Sequence, residues 1–252
     1  MVPTENTSAN AILAFVDLSQ NAVNVLTAAN AFAKQLQYKL KVVYVKAPLS
    51  VIQQENQFSA KKELFQDLRT TRSSLEALVQ KYAPGAAYEV VYGNLKNNVL
   101  EALSQNDPDI IVLGKQSRKL GGILGDRVID TLLNSKSKAS ILIVDAAQPI
   151  PGSEKLSVGI LKGNSATELG ILESIFQNDA KQIRYFSIED QTASVPRERN
   201  HFIFSKGSNA IANMIEYTVK TKTELFCIPR GMEARFPKKM LHKLKANVLL
   251  VR

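Results

Sequence analysis

The sequence is poor in the residues that build disulfides and metal sites. Its 252 residues include one cysteine, Cys227, two histidines and no tryptophan. One cysteine cannot form an internal disulfide, and the two histidines, His201 and His242, stand far apart without clustered cysteines or carboxylates, which argues against a zinc site. Cys227 lies in the apolar run 225–228, so we expect it to be a small buried core residue.

Long apolar runs are also missing. The most apolar segments, such as residues 110–113 and 141–144, are far shorter than the roughly 20 residues needed to span a bilayer. Residues 1–10 have neither a basic start nor a long apolar stretch, so they predict a short disordered lead and not a secretory signal. We therefore expect a cytoplasmic protein that does not associate with membranes.

The chain carries more basic than acidic residues, with a formal net charge of +9. Much of the excess lies near the C-terminus, at Arg230, Arg235, Lys238, Lys239, Lys243, Lys245 and Arg252. Neither interleaved aromatic platforms nor a helix-turn-helix or RNA-reading pattern accompanies these residues. A solvated basic face is therefore favoured over nucleic-acid binding.

Short β-branched runs alternate with longer amphipathic segments in the first half of the chain. The pattern predicts strands at 11–16, 41–45, 87–93, 109–114 and 140–145, and helices at 20–37, 59–82, 95–105 and about 126–135. Because the strands are almost continuously apolar and alternate with helices, we expect a parallel sheet covered by helices on both faces.

The second half repeats this order in a shorter form after the polar, proline-containing segment 147–155. Its predicted strands are 156–161, 182–188, 201–205, 224–228 and 247–251, with helices at about 165–177, 208–220 and 237–245. Residues 189–200 are too few for a counterpart of the long helix at 59–82. We expect an internal duplication: a first domain at 1–146, a linker at 147–155 and a smaller second domain at 156–252.

Several residues in the first half match a known family as well. The first strand ends in Val16-Asp17-Leu18-Ser19, the second in Tyr44-Val45, a glycine (Gly93) follows the third, and the fourth reads 109-DIIVLG-114. In element order and in these residues the chain resembles the universal stress protein family. The resemblance implies an α/β fold of two tandem, doubly wound, Rossmann-like parallel-sheet domains, the second smaller. It also implies a role in stress response.

The resemblance assigns the adenine end of a nucleotide site to two residues. Asp17 resembles the family residue that meets the adenine, and Val45 the one whose backbone does the same. The expected ligand in the first domain is ATP or AMP. An alternative stays open for Asp17, because an acid at a strand end can also cap the helix that starts near Asn21.

The phosphate end departs from the pattern of ATP-binding members, G-2x-G-9x-G-(S/T). Gly114 is followed by Ser117 in place of a glycine, seven residues and not nine lie between Ser117 and Gly125, and Asp126 stands where a hydroxyl is expected. Asp126 suits the N-cap of a helix but would repel phosphates. Nearby cations that could offset it are Lys115, Arg118, Lys119 and Arg127. Either a self-capping helix fills the site or a nucleotide still binds.

The second half keeps neither end of this site. Lys162 stands in the position of Asp17, and the loop 229–239 has one glycine and two prolines. We expect no ATP binding there in the family's manner. A weaker hypothesis is an anion pocket at the carboxyl ends of the strands, formed by Lys162, Lys206, Arg230 and Arg235.

The sequence does not indicate catalysis. It has no G-x-S-x-G or Walker A motif and no evident nucleophile–base pair, and the segment 17–22 lacks the phosphate loop of adenylate-forming enzymes. By resemblance, single-domain relatives dimerise through their last strands, so residues 141–144 and 248–251 should meet in an intramolecular pseudo-dimer. A homodimer of whole chains and an unknown protein partner stay open. One alternative function is an interaction protein that has lost both sites and binds an acidic partner.

Overall fold

The computed structural model describes residues 10–46, 57–115, 124–150, 156–162, 183–189, 200–230, 241 and 243–252. Its strands are β1 Ala11–Val16, β2 Lys39–Lys46, β3 Ala87–Tyr92, β4 Ile110–Gly114, β5 Ser140–Val144, β6 Val158–Leu161, β7 Ile183–Glu189, β8 His201–Ser205, β9 Leu225–Pro229 and β10 Asn247–Val251. Its helices are α1 Ala22–Leu36, α2 Gln57–Tyr82, α3 Leu95–Asn106, α4 Leu124–Leu133 and α5 Ala210–Lys220. The helices expected at about 165–177 and 237–245 lie outside the described residues, except for the end of the second.

The strands form one sheet of ten, in the order β3-β2-β1-β4-β5-β10-β9-β6-β7-β8. All neighbouring pairs are parallel except β5 with β10, which are antiparallel. Each half therefore has the same doubly wound order, in which the first strand lies between the second and the fourth. The expected α/β fold with mostly parallel strands is confirmed.

The two halves join through the antiparallel pair of β5 and β10. Ile141 pairs with Leu250, Leu142 with Leu249 and Ile143 with Val248. Every residue of both strands is buried. The expected contact between residues 141–144 and 248–251 is thus confirmed, and it makes the ten strands continuous.

Apolar side chains alternate between the two faces of the sheet and form a core on each. One core lies beneath α1 and α2 and includes Val25, Leu26, Phe32, Leu75 and Val79. The other lies beneath α3, α4 and α5 and includes Val99, Val128, Leu132, Met214 and Ile215. Both cores run through the strands of both halves, so the β5–β10 junction lies inside the folded core and not on its surface.

Asp109 fixes the amino ends of three neighbouring strands. Its carboxylate accepts a hydrogen bond from the Ala11 backbone N–H at 3.0 Å, and its own N–H donates to the Ala11 carbonyl at 2.9 Å. The Ser140 N–H donates to the Asp109 carbonyl at 2.8 Å. The acid that opens the motif 109–114 therefore aligns β1, β4 and β5.

The second half is smaller but has an aromatic core of its own. Phe186 packs against Phe226 with ring centroids 5.3 Å apart and against Phe202 at 5.8 Å. Gly159 makes this possible, because a Cβ there would lie 2.7 Å from Phe226 and 3.0 Å from Phe186. Only residues 190–200 separate β7 from β8, which is far too few for a helix of the length of α2.

None of the described helices is long and apolar enough to cross a bilayer.

Candidate functional site

The turn between β1 and α1 is built around Asp17. Its Oδ1 accepts hydrogen bonds from the hydroxyl of Ser19 and, at 3.3 Å, from the Ser19 backbone N–H. Helix α1 begins at Ala22, and its N-cap residue is Asn21. The alternative in which Asp17 caps this helix is therefore wrong, because its carboxylate closes the turn well before the helix starts. The same bonds explain the spacing of Asp and Ser in residues 16–19.

The register of the sheet brings three of the predicted residues to one edge. Val16 pairs with Tyr44 on β2, so Asp17 leaves the sheet level with Val45. Phe15 pairs with Leu113 on β4, so Gly114 ends its strand beside Val16. In a doubly wound sheet the crevice between such strands is where ligands bind, because the connections leave β1 and β4 toward opposite faces.

Only the backbone of Val45 is available to a ligand in this crevice. Its side chain is 2% exposed and packs in the core beneath α3. The side chain of its neighbour Tyr44 packs on the opposite face, against the α1 core. Burial raises the pKa of Tyr44; the charge of Lys46 lowers it and that of Asp17 raises it.

The absence of a side chain at Gly114 is explained by a contact inside the protein. A Cβ at this position would lie 2.5 Å from Asn21 Nδ2 and 3.1 Å from a methyl group of Val25. Asn21 Nδ2 donates to the Lys115 carbonyl at 3.1 Å, whereas its buried Oδ1 has no hydrogen-bond partner. Asn21 was not predicted as a site residue, since from the sequence it is recognisable only as a helix start.

The sequence suggests that Lys115 could offset the charge of Asp126, but its side chain is paired elsewhere. Its Nζ lies 2.9 Å from Asp145 Oδ2, with the two side chains 10% and 15% exposed. The same Nζ also donates to the Leu244 carbonyl in the second half. This lysine is thus bound between the two halves and is not available to offset the charge of Asp126.

The remaining residues of the predicted phosphate end are only partly described. Ser117 lies outside the described residues. Helix α4 begins at Leu124, so Gly125 and Asp126 lie in its first turn. The expected positions of Gly125 before the helix and Asp126 at its N-cap are therefore wrong. In the sequence, Leu124 precedes the buried Val128 and Leu132 by four and eight residues, a spacing that is typical of a helix. The side chain of Asp126 is outside the described part.

A polar cluster that the sequence analysis missed lies next to Val45, on the α2 side of the sheet. Lys46 Nζ is 2.6 Å from Asp67 Oδ1 and 2.9 Å from Thr71 Oγ1, and the Tyr92 hydroxyl donates to Asp67 Oδ2 at 3.0 Å. Thr71 is 4% exposed. The cluster joins β2 and β3 to α2, and it could not be read from spacing because its members come from three separate elements.

Both charges of this cluster are stabilised by the contact. The hydrogen bond from Lys46 lowers the pKa of Asp67 against the raising effect of burial, and Tyr92 lowers it further. Burial lowers the pKa of Lys46, but the hydrogen bond and charge of Asp67 outweigh it, so the pKa lies above its ordinary value. The Gly93 N–H also donates to the Lys46 carbonyl at 3.1 Å. The end of β2 that carries Val45 is therefore firmly held.

Two members of the anion pocket expected in the second half, Lys162 and Arg230, make other contacts. Lys162 Nζ lies 4.7 Å above the ring of Tyr185. Arg230 Nη1 donates to the carbonyls of Ser137 and Ala139 in the first half, at 2.8 and 2.7 Å. Arg230 therefore connects the halves, and Arg235 lies outside the described residues.

One serine–histidine contact occurs in the second half. His201 Nε2 is 3.0 Å from Ser187 Oγ, and Ser187 is 4% exposed. Over the residues that the structure describes, no group of three or more histidine, cysteine, aspartate or glutamate side chains is placed to hold a metal ion.

Comparisons with known proteins agree with the fold. A universal stress protein from Archaeoglobus fulgidus DSM 4304 is 14% identical, with a TM-score of 0.66 over 96% of this chain and 98% of that one. A functionally unknown protein from Pseudomonas aeruginosa PAO1 is 13% identical, with a TM-score of 0.58 over 96% of this chain and 92% of that one. Among curated proteins no sequence matches significantly.

The sequence profile of the universal stress protein family matches residues 9–145, which include all five strands of the first half. This match covers more than half of the chain, and the protein therefore belongs to the universal stress protein family.

Proposed function

We propose that the first half binds an adenine nucleotide, ATP or AMP, and that the protein acts in stress response by binding and not by catalysis. The observation that carries this proposal is the convergence of Asp17, Val45 and Gly114 at the crevice between β1, β2 and β4. A carboxylate can accept from ribose hydroxyls or from the adenine amino group, and a strand-end backbone can pair with the edge of the base.

The phosphate end of this site is the weaker part of the proposal. Asn21 fills the space at Gly114, and Lys115 is paired with Asp145. We therefore expect the adenosine moiety to contribute most of the affinity, with AMP binding about as well as ATP. Mg²⁺ and the outer phosphates should add little.

An interaction protein without a nucleotide is the second candidate. It is favoured by the Asn21–Gly114 and Lys115–Asp145 contacts, because the first explains the glycine at position 114 without any ligand. In this case the basic surface of the second half would bind an acidic partner. The expected cytoplasmic location stays a prediction under both candidates.

The proposal of a non-catalytic role draws support from the serine–histidine contact. Ser187 is only 4% exposed, so a substrate carbonyl has no access to its hydroxyl in the folded protein. We propose that this pair satisfies polar groups inside the second half and that its hydroxyl is not a nucleophile.

We also propose that the chain is an internal pseudo-dimer with domains at 1–146 and 156–252. The repeated strand order and the antiparallel β5–β10 pair support this proposal. A duplicated chain that pairs its own last strands needs no second copy to cover those edges. The second domain would then serve mainly as a built-in partner of the first.

Native mass spectrometry of the purified full chain tests directly whether the protein binds an adenine nucleotide. We expect a co-purified adenine nucleotide, and a rise in melting temperature on adding AMP or ATP to the stripped protein. An absence of nucleotide together with an unchanged melting temperature would favour the interaction protein.

A further inference from the structure

The residue that follows β4 is fixed by bonds to both halves of the chain. The Lys115 backbone N–H donates to the Val144 carbonyl at 2.7 Å. Its Nζ forms the ion pair with Asp145 at 2.9 Å and donates to the carbonyl of Leu244. Among the ion pairs of the described residues this one is the least exposed. The start of the loop after Gly114 is therefore held from the second half as well as from the first.

Asp145 is held in turn by Asn247, the first residue of β10. The Asp145 backbone N–H donates to Asn247 Oδ1 at 2.8 Å. Asn247 is fully buried, and its Nδ2 donates to the carbonyls of Gln148 and Glu224 at 2.9 and 3.0 Å. A chain of direct bonds thus leads from Asn247 through Asp145 to Lys115.

The chain of bonds continues into the crevice. Asn21 Nδ2 donates to the Lys115 carbonyl and lies against Gly114. Any displacement of Lys115 must move the acceptor of Asn21 and the end of β4 together. A path of direct contacts therefore leads from the junction of the two halves to the crevice beside Asp17.

The other side of the junction has a matched arrangement in which two arginines take the places of Lys115 and Asp145. Arg230 follows β9 as Lys115 follows β4, and it crosses the junction to the carbonyls of Ser137 and Ala139. The N–H of Arg252 faces Ser140 Oγ at 3.4 Å, as that of Asp145 faces Asn247. At the counterpart of Asp145 stands Arg252, so among the described residues the Asp145–Lys115 ion pair has no equivalent on this side. It provides internal controls of similar geometry.

We propose that Lys115 is a positioning residue of the first-half site and not a phosphate ligand, and that through it the second half sets the conformation of the crevice. The proposal rests on the proposed function for its effect on nucleotide affinity. A phosphate could bind Lys115 only by breaking a buried ion pair and leaving Asp145 uncompensated, which is unfavourable. We therefore assign to Lys115 the role of connecting the start of the loop after β4 to the β5–β10 junction.

Amide hydrogen exchange of the ligand-free full chain tests the connection made by Lys115 without any nucleotide. In Asp145→Asn and Asn247→Ser we expect the Lys115 amide to exchange about tenfold faster or more, because its anchor is loosened locally. The matched controls Arg230→Met and Ser140→Ala should leave the Lys115 amide unchanged. Equal acceleration in Arg230→Met, or no acceleration in Asp145→Asn and Asn247→Ser, would overturn the proposal.

Titration with AMP and ATP then separates positioning from direct contact. We expect Asp145→Asn and Lys115→Met to weaken both nucleotides about tenfold, within the usual range of coupling between sites. Lys115→Arg should restore the affinity, and Arg230→Met should keep it. If Lys115 were a phosphate ligand, Asp145→Asn would free it and tighten ATP selectively, which contradicts the proposal. If the wild-type chain binds neither nucleotide, the proposed function fails. The exchange measurement still decides whether Lys115 connects the loop after β4 to the junction.

Discussion

The side chain of Asn21 lies so close to Gly114 that a Cβ on residue 114 would come within 2.5 Å of Asn21 Nδ2. We expect Gly114→Ala to lower the free energy of unfolding by about 1–3 kcal/mol, as overpacking of a tight contact usually does. Urea unfolding measures the change.

Two further variants show whether this contact is the cause. Gly207→Ala is the matched control, because a Cβ at Gly207 meets nothing within 4 Å, and it should cost much less. Adding Asn21→Ala to Gly114→Ala should recover part of the loss. If Asn21→Ala and Gly114→Ala are simply additive, the contact is not the reason for the glycine.

The contact between Lys46 on β2 and Asp67 on α2 should contribute measurably to stability. Lys46→Met or Asp67→Asn removes one partner of a half-buried, charge-assisted contact, so we expect a loss of about 2 kcal/mol in urea unfolding. The pair Lys41–Glu89 on β2 and β3 is more exposed, with side chains 31% and 46% accessible. Lys41→Met should therefore cost less than about 1 kcal/mol. Equal losses for the two lysines would contradict this account.

The same contact predicts a pH dependence with a definite sign. Because the pKa of Asp67 is lowered by folding, its contribution is full above the ordinary carboxyl pKa of about 3.9 and is lost as the pH falls below it. Because the pKa of Lys46 is raised, its contribution is full below the ordinary lysine pKa of about 10.4 and is lost as the pH rises above it. The difference in the free energy of unfolding between wild type and Asp67→Asn should thus shrink in acid. A difference that stays constant down to the acid transition would be evidence against the Lys46–Asp67 contact.

Cys227 should be unreactive in the folded protein. It is 1% exposed, and burial raises the pKa of its thiol well above the ordinary value. We expect alkylation or disulfide exchange with an aromatic disulfide reagent to occur only as fast as the protein opens, and to become rapid in denaturant. Fast labelling under native conditions would show that β9 is not buried as described.

The β5–β10 pair predicts the behaviour of the first half by itself. Without β10, a chain of residues 1–150 exposes the apolar edge of β5, whose five residues are all buried in the full chain. We expect this fragment to form a dimer in which two β5 strands pair in antiparallel fashion around Leu142, measured by light scattering. Leu142→Asp should abolish the dimer. A fragment that stays folded and monomeric at the same concentration would argue against the pseudo-dimer.

Sequence patterns predicted the strand and helix order well, because the alternation of short apolar runs with amphipathic segments is a local property. They also predicted the burial of Cys227, whereas the contact of residues 141–144 with 248–251 was expected from the family resemblance and not from these patterns. They did not predict the bonds of Lys115, Asn21 or Asp67. Each of these depends on residues more than 20 positions away, and a lysine after a strand has the same sequence context whether it binds a phosphate or a buried aspartate. The start of α4 was misplaced because Asp126 is a good capping residue, whereas the apolar stripe from Leu124 continues the helix beyond it.

Isothermal titration of the full chain with AMP tests the central claim most directly, namely that the crevice at Asp17 holds adenosine. We predict that the wild type binds AMP and that Asp17→Ala weakens binding at least about tenfold, since a charge-assisted contact with the ligand is lost. Glu101→Ala on α3 and Lys162→Ala, at the counterpart of Asp17 in the second half, should bind as the wild type does. The account is contradicted if the wild type shows no binding or if Asp17→Ala binds AMP as tightly as the wild type.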